Sequence, residues 1–216
     1  MKLLQSLSDD PAHHCNLEKQ LLTAHPSDDG DVLLLYINRP SVIVGRHQQI
    51  EAEVDVRYCR RHGIEIVRRI SGGGAVYHDY GNINYAFVVD RGATPVMDAD
   101  FASPIIAALR AVGVDATAGA RRELLVGGKK ISGTASFVTA GRILFHGTLL
   151  HRTDLARLAR ALNGDPEKRG KHIASVQAEV MNLSEITGDT EPTDEFLRRL
   201  IRFLSGYCRT GDARYV

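Results

Sequence analysis

The sequence predicts an α+β domain of mixed or antiparallel β-sheets packed with helices, and three observations carry that prediction. Short apolar runs rich in β-branched residues recur along the chain. Tight turn signals separate several of them, and helix-period stretches fall between groups of runs rather than after each one. At 216 residues the chain suits one well-buried domain better than two, so residues 1–216 are expected to form a single unit. Its hydrophobic share of 44% and charged share of 25% show no disordered, collagen-like or cysteine-framed bias.

The elements follow in order. After Pro11, Leu17, Leu21 and Leu22 recur at helical spacing until "HPSDDGD" (25–31), whose proline, aspartates and glycine mark a loop. "VLLLYI" (32–37) and "SVIVG" (41–45) are short and apolar, which favours strands. Residues 51–62 are charged and read as one helix closing at Gly63, after which "IEIV" (64–67) alternates as a strand. "NINYAFVV" (82–89), "KKISGTASFV" (129–138) and "RILFHGTLL" (142–150) read as further strands, the last two joined by a turn at Thr139-Ala140-Gly141. Helices are expected at 98–112, where Ile105, Ile106 and Leu109 share a face, at about 153–162, and at 193–206.

Charge and cysteine usage narrow the function classes. A net charge of +1 supplies no broad positive field, so neither nucleic acid nor a membrane surface is an expected partner. Any bound anion must be gripped locally. Cys15, Cys59 and Cys208 form no C-x-x-C pair, which fits reduced thiols rather than a disulfide frame or a zinc site. The opening "MKLLQSLSDDPAHHC" breaks into Asp-Asp-Pro before a signal-peptide core forms, and no run reaches the ~18 to 20 apolar residues of a membrane span. A cytoplasmic protein is expected.

Three clusters carry candidate chemistry. In "RRISGGGAVYHD" (68–79), Gly72, Gly73 and Gly74 permit backbone angles closed to other residues and let amides approach a ligand. Such a run makes an anion nest to which Arg68 or Arg69 could add a two-pronged donor, or it is a flexible hairpin with a solvated arginine pair. The pattern is neither the phosphate-loop nor the dinucleotide fingerprint. In "GGKKISGTA" (127–135), strand alternation puts Lys129 on the side of Ile131, and Lys130 with Ser132 on the other. Lys130 is then either a cleft charge or a solvated strand-end lysine. In "FHGTLL" (145–150), His146 beside Gly147 reads as a structural histidine or a ligand contact.

Arg68-Arg69, "SGGGAVYHD", Gly81-Asn82 with Asn84, "KISGTA", "HGTLL" and "SVQAEVMNLSE" (175–185) stand in an order and spacing that resemble the lipoate–protein ligases. The resemblance covers roughly residues 10–205 and implies the biotin/lipoate-protein ligase catalytic-domain fold. It implies an enzyme in which a lipoate carboxylate attacks the α-phosphate of ATP, giving lipoyl-AMP and pyrophosphate, before a target lysine takes the acyl group. On this pattern Arg69, Gly73, Gly74, Ala75, Val76, Tyr77 and His78 fall at nucleotide contacts, His146 and Gly147 border the ligand, and Lys130 touches both the α-phosphate and the acyl carbonyl. An ammonium there offsets repulsion between two anions and stabilises developing charge. His78 either donates to the adenylate or orders the loop.

The resemblance also implies magnesium, arriving with ATP, and acceptors that are lipoyl domains of 2-oxoacid dehydrogenase E2 subunits and the glycine-cleavage H protein. The family often shows Asn-Asp before the lysine strand. Here "ARREL" (120–124) leaves Glu123 to take the acid's role. An apolar slot for the dithiolane chain is expected near Val44 and the inward side of "FHGTLL". Many full-length ligases carry a smaller accessory domain beyond the point where this sequence stops, so the expectation includes a short form whose activation needs a separate partner, or one specialised for the second transfer. The rivals are an ATP-independent octanoyl or lipoyl transferase using a cysteine thioester, a biotin ligase, whose "GRGRxxR"-type loop is replaced here, and a non-catalytic lipoate or lipoyl-domain binder. A transferase needs an accessible thiolate beside the lysine.

Overall fold

The computed structural model describes residues 1–23, 30–92, 100–172, 174–176, 178–208 and 214–216. The first half of the chain contributes β1 (Lys2–Gln5), α1 (Pro11–Thr23), β2 (Val32–Ile37), β3 (Ser41–Val44), α2 (Ile50–Glu53) and α3 (Val56–Arg61). It continues with β4 (Glu65–Arg68), β5 (Val76–His78), β6 (Asn82–Asp90) and α4 (Ala102–Ala111). The second half supplies β7 (Thr117–Ala118), β8 (Leu124–Val126), β9 (Lys129–Ser132), β10 (Thr134–Val138) and β11 (Arg142–Leu150). It ends with α5 (Leu155–Ala161), a 3₁₀ turn (Pro166–Arg169), α6 (Leu183–Thr187), α7 (Thr193–Tyr207) and β12 (Arg214–Tyr215).

Six strands form a central sheet in the order β10–β11–β6–β2–β1–β12, antiparallel from β10 to β2 and parallel beyond. Side chains alternate across it. Leu33, Leu35, Ile83, Tyr85, Phe87, Phe145 and Leu149 face a core closed by Ile105 and Leu109 of α4 and Phe196 and Leu200 of α7. Leu34, Tyr36, Ala86, Val88 and Leu144 face the other way, against Leu21 and Leu22 of α1. Both faces are covered, which is why "VLLLYI" runs apolar without alternating.

A second sheet, β4–β3–β5, lies beside the first. Its Val42, Val44 and Tyr77 pack with Val54, Cys59, Ile64 and Ala161 in a third core. The antiparallel register Val42↔Tyr77 and Ile43↔Val76 therefore sends Ile43 and Val76 to the opposite side. A third, small sheet is β7–β8–β9.

Several boundaries differ from expectation for local reasons. The helix expected at 51–62 is two, divided at Val54-Asp55, where buried Val54 turns into the third core and Asp55 caps α3 by accepting from the Tyr58 amide at 2.8 Å. "KKISGTASFV" divides at Gly133 into β9 and β10, which belong to different sheets. The helix expected from 98 begins at Ala102; residues 98 and 99, and most of the "HPSDDGD" loop, lie outside the described residues. Cys15 sits within α1 rather than before it; Pro11 opens that helix and Asp10 Oδ1 accepts from the Ala12 and His13 amides at 2.8 and 3.0 Å. Among the described residues no helix is long and apolar enough to cross a membrane.

Candidate ligand-binding cavity

A cavity of about 340 Å³ lies where the α1 face of the central sheet meets the Ile43, Val76 side of the second sheet. Tyr36, Asn84, His146 and Thr148 form its floor on three neighbouring strands, with Tyr36 opposite Asn84 and Asn84 opposite Thr148. α1 contributes Cys15 and Glu18, the loop before β8 contributes Glu123, β9 contributes Lys130, and Ser175 closes one side.

The glycine loop is shaped by close backbone approaches. Gly73 has φ +85°, a left-handed angle that disfavours any side chain. A Cβ on Gly45 would strike the Gly73 carbonyl, and one on Gly74 would sit 3.0 Å from Ser175 Oγ. Ser175 Oγ accepts from the Ala75 amide and from Gln48 Nε2, both at 3.0 Å. Residues from "SVQAEVMNLSE" thereby hold the loop from outside, although Gln177 itself lies outside the described residues.

The arginine pair does not present the free two-pronged donor that the residues alone suggested. Arg68 donates to the Gly45, Arg46 and Gln48 carbonyls at 2.7, 3.2 and 3.0 Å. Arg69, buried, donates to Ile43 O at 2.9 Å, to Gly72 O and Gly74 O at 2.7 Å each, and through Nε to Ser71 Oγ at 2.9 Å. Burial pushes the guanidinium pKa down to about 10, which still leaves it charged at neutral pH. Arg69 thus clamps the Gly72 and Gly74 carbonyls, and together with Ser175 on the Ala75 amide it fixes the path of the loop along the cavity.

Lys130 is reached from the other side. Its amide donates to Glu179 O at 2.9 Å and its carbonyl accepts from the Met181 amide at 3.0 Å, so a segment fifty residues later fixes its backbone. A Cβ built on Gly133 would lie 3.4 Å from Lys130 Nζ and 3.8 Å from Val76 Cγ1, placing the ammonium beside the glycine loop's strand. Burial pushes its pKa down, with nearby Glu123 opposing. Lys129, by contrast, is exposed and pairs with Glu179 at 2.6 Å. Strict alternation fails here: Ile131 and Ser132 are both buried, and the β8–β9 register shifts at Leu124/Leu125.

A buried polar network missing from the sequence reading lines the opposite end. Glu18 Oε1 accepts from Tyr36 OH at 2.9 Å, and Oε2 accepts from His146 Nδ1 at 2.8 Å. Ser71 Oγ lies 2.7 Å from His146 Nε2, linking the chain to Arg69. Alongside, Ser6, His14, Asn38 and His78 form a second relay. One signal for Glu18 was legible in the sequence: it shares a helical stripe with Leu21 and Leu22, where a carboxylate is buried only with partners.

Arg69, Gly73, Gly74, Ala75, Val76, His78, Lys130, His146 and Gly147 all line this cavity. Tyr77 does not: its ring packs in the third core, as its register opposite Val42 requires. The expected slot residue Val44 also belongs to that core, and Ile43 takes its place. From "FHGTLL" the cavity receives His146, Gly147 and Thr148, while Phe145 and Leu149 face the opposite core. Glu123 lines the cavity with Oε2 accepting from the Arg121 amide at 2.8 Å. Cys15 lines it too, its thiol pushed up to about 12 by burial and by Glu18.

Fold and site define the class first: an α+β domain whose cavity sets one half-buried ammonium against a cradle of bare backbone. Residues 10–205 match the Lipoyl protein ligase A/B catalytic domain, and the chain belongs to that family. It is 40% identical over 182 residues to the lipoate-protein ligase LplJ of Bacillus subtilis, a match that covers 83% of this chain and 55% of that relative. The chain thus spans little more than half the length of that curated relative. Among solved structures it resembles a bipartite lipoate protein ligase studied with its E2 lipoyl domain from Thermoplasma acidophilum, at TM-score 0.80 and 28% identity, covering 100% of this chain and 88% of that one. It also resembles a lipoate-protein ligase A bound with ATP, at TM-score 0.81, 26% identity and the same coverage.

Proposed function

We propose that this chain is a lipoate–protein ligase, activating lipoate with ATP to lipoyl-AMP and passing the lipoyl group to a lysine of an acceptor lipoyl domain. The observation that carries the reading is the convergence of Lys130 and the glycine loop on one cavity. In the first step a carboxylate oxygen bonds to the α-phosphorus and pyrophosphate leaves; in the second, an acceptor amine bonds to the acyl carbon and AMP leaves. The first step brings two anions together, and a fixed ammonium between them lowers the barrier by screening their repulsion; in the second it stabilises the negative charge that develops on the acyl oxygen and on the departing phosphate.

The remaining roles follow from position. The Gly73-Gly74 backbone borders the nucleotide, with Arg69 holding the Gly72 and Gly74 carbonyls and Ser175 holding the Ala75 amide. Mg²⁺ is held well by one or two carboxylates plus substrate phosphates. Glu123, in the same cavity as Lys130, fits that donor set and would hold the ion, which supplies charge neutralisation on the phosphates. Lipoyl domains of 2-oxoacid dehydrogenase E2 subunits are the acceptors favoured by the Thermoplasma relative, with the glycine-cleavage H protein as a further one. ATP use and unpaired cysteines fit a cytoplasmic enzyme. That relative is described as bipartite, which favours a second reading in which activation needs a separate partner protein and this chain performs the transfer.

A cysteine thioester route fits less well, because Cys15 is held protonated and a thiol is a poor nucleophile. Cys15→Ser is expected to keep ligation. ATP–pyrophosphate exchange with lipoate tests the main reading. Exchange in the wild-type chain, lost by about 10²-fold or more in Lys130→Ala with an unchanged circular dichroism spectrum, supports it. Transfer from synthetic lipoyl-AMP without exchange supports the second reading, and near-normal exchange in Lys130→Ala refutes the site.

A further inference from the structure

Away from the ligand cavity, the end of β11 meets the turn between α6 and α7 in a cluster of metal-ligating side chains. His151, the residue after β11, Asp189 and Glu191 each offer one ligand atom, and these atoms all lie within 4.8 Å of one another. None of the three lines the cavity. The His151 ring is fully buried and stacks on Phe196 with centroids 4.3 Å apart, whereas both carboxylates keep part of their surface in water. Each member is also held from outside the cluster. His151 Nδ1 lies 3.1 Å from Thr193 Oγ1, Asp189 Oδ2 accepts from Thr187 Oγ1 at 2.5 Å, and Glu191 Oε1 pairs with Arg199. Outer partners of this kind orient the ligands of a metal. With its proton on Nδ1 and donated to Thr193, the imidazole turns the Nε2 lone pair toward the carboxylates.

The spacing suits an ion better than a direct hydrogen bond. His151 Nε2 stands 3.3 Å from Asp189 Oδ1, beyond the ~2.7 to 3.2 Å of ordinary N–H···O contacts. Ligands bound at about 2.0 to 2.1 Å in a tetrahedral shell stand about 3.3 to 3.4 Å apart. His151 feels Asp189 and Glu191 and, with opposite sign, Arg152, and Arg199 offsets part of the Glu191 charge. Nitrogen and geometry therefore select the ion more than charge does, which favours a zinc-like cation over Mg²⁺ or Ca²⁺ with their oxygen shells. Asp189 also lines a surface hollow with Arg152, Asn182 and Gly188, which gives an ion its way in. We propose that His151, Asp189 and Glu191 form a structural site for a divalent transition cation of the zinc class, with water completing the shell. The ion ties the end of β11 to the α6–α7 turn. Asn182 already staples that junction by accepting from the Thr153 amide at 2.9 Å and donating to its carbonyl at 3.0 Å. Its neighbour Met181 bonds the Lys130 carbonyl, so the ion stiffens the support behind that lysine.

The test is metal binding and needs no ligase assay. The full chain is stripped with a chelator, freed of it, and titrated by calorimetry with zinc chloride and, in contrast, with magnesium chloride. The wild type is expected to bind Zn²⁺ at this site and Mg²⁺ about a hundredfold or more weakly. Asp189→Asn and Glu191→Gln keep the shape of each side chain, and each is expected to weaken Zn²⁺ by about tenfold or more. Free Zn²⁺ at about a hundredfold over Kd is expected to raise the wild-type thermal midpoint by about 5 to 10 °C. Because removing His151 opens a hole beside Phe196, that residue is followed in the wild type. Long-range ¹H–¹⁵N spectra are expected to show its Nε2 resonance moved by Zn²⁺ and left in place by Mg²⁺. Zinc binding that survives both substitutions, or that leaves the His151 signal unmoved, is adventitious and overturns the inference. A wild-type chain that binds no zinc overturns it as well.

Discussion

On β6 and β11, side chains two apart point to the same face and those of neighbours to opposite faces. Tyr85, Phe87 and Phe145 enter a core where Phe101 stacks on Phe145 at 4.8 Å and tilts against Phe87 at 5.6 Å. One residue away on the same strands, Asn84, His146 and Thr148 floor the cavity, and the covering helix offers Glu18 in place of an aromatic ring. The closed face is held by area removed from water, which is insensitive to direction. The cavity face is held by directed bonds, each of which leaves a dry partner behind if broken. Apolar packing and directed polar bonding are thus divided between two sides of one sheet.

The largest test of that division is Phe196→Ala. It removes a fully buried ring from the closed face and is expected to lower unfolding free energy by about 3 to 5 kcal/mol in urea melts. Lipoate affinity in the folded fraction is expected to stay as it was. Glu18→Ala strips Tyr36 OH and His146 Nδ1 of their acceptor and is expected to cost about 1 to 3 kcal/mol of stability. Unlike Phe196→Ala, it should weaken lipoate binding in calorimetry as well.

A pH series sharpens the comparison further. The unfolded chain takes up a proton at His78 near pH 6.5, which the folded ring refuses until about pH 3. The contribution is therefore complete above 6.5 and is lost as pH falls from 6.5 toward 3. Urea midpoints for His78→Gln should decline less steeply than wild type across that window. Lys129→Ala, which removes an exposed ion pair with Glu179, should leave the melting midpoint within experimental error and pyrophosphate exchange intact. A large loss there would blur the distinction between the adjacent lysines.

The parts legible in sequence are those governed by local period. "VLLLYI", "NINYAFVV" and "RILFHGTLL" declare themselves because each strand carries its own apolar record. β1 and β12 do not, being short strands whose pairing joins Leu4 to Arg214 across the whole chain. Arg142 shows the same limit: its burial depends on partners distant in sequence, the Leu21 carbonyl that accepts from its guanidinium at 2.8 Å, the Gly30 carbonyl and the Asp90 carboxylate at 3.3 Å. The glycine loop and Lys130 were visible as residue types, while the role of Arg69 as a clamp on carbonyls was not. Nor was the relay from Ser6 to His78, whose four members come from separate segments and carry no shared spacing.

The backbone of Lys130 is bonded on one edge to Glu179 and Met181, and the glycine loop is bonded to Ser175. Every strand of the cavity floor precedes these residues in the chain. A nascent polypeptide emerging from the ribosome can therefore assemble the floor and both larger sheets' inner strands early, yet it has no finished pocket until Met181 has cleared the exit tunnel. Synthesis itself withholds a fixed backbone for Lys130 until the residues through Met181 have been made.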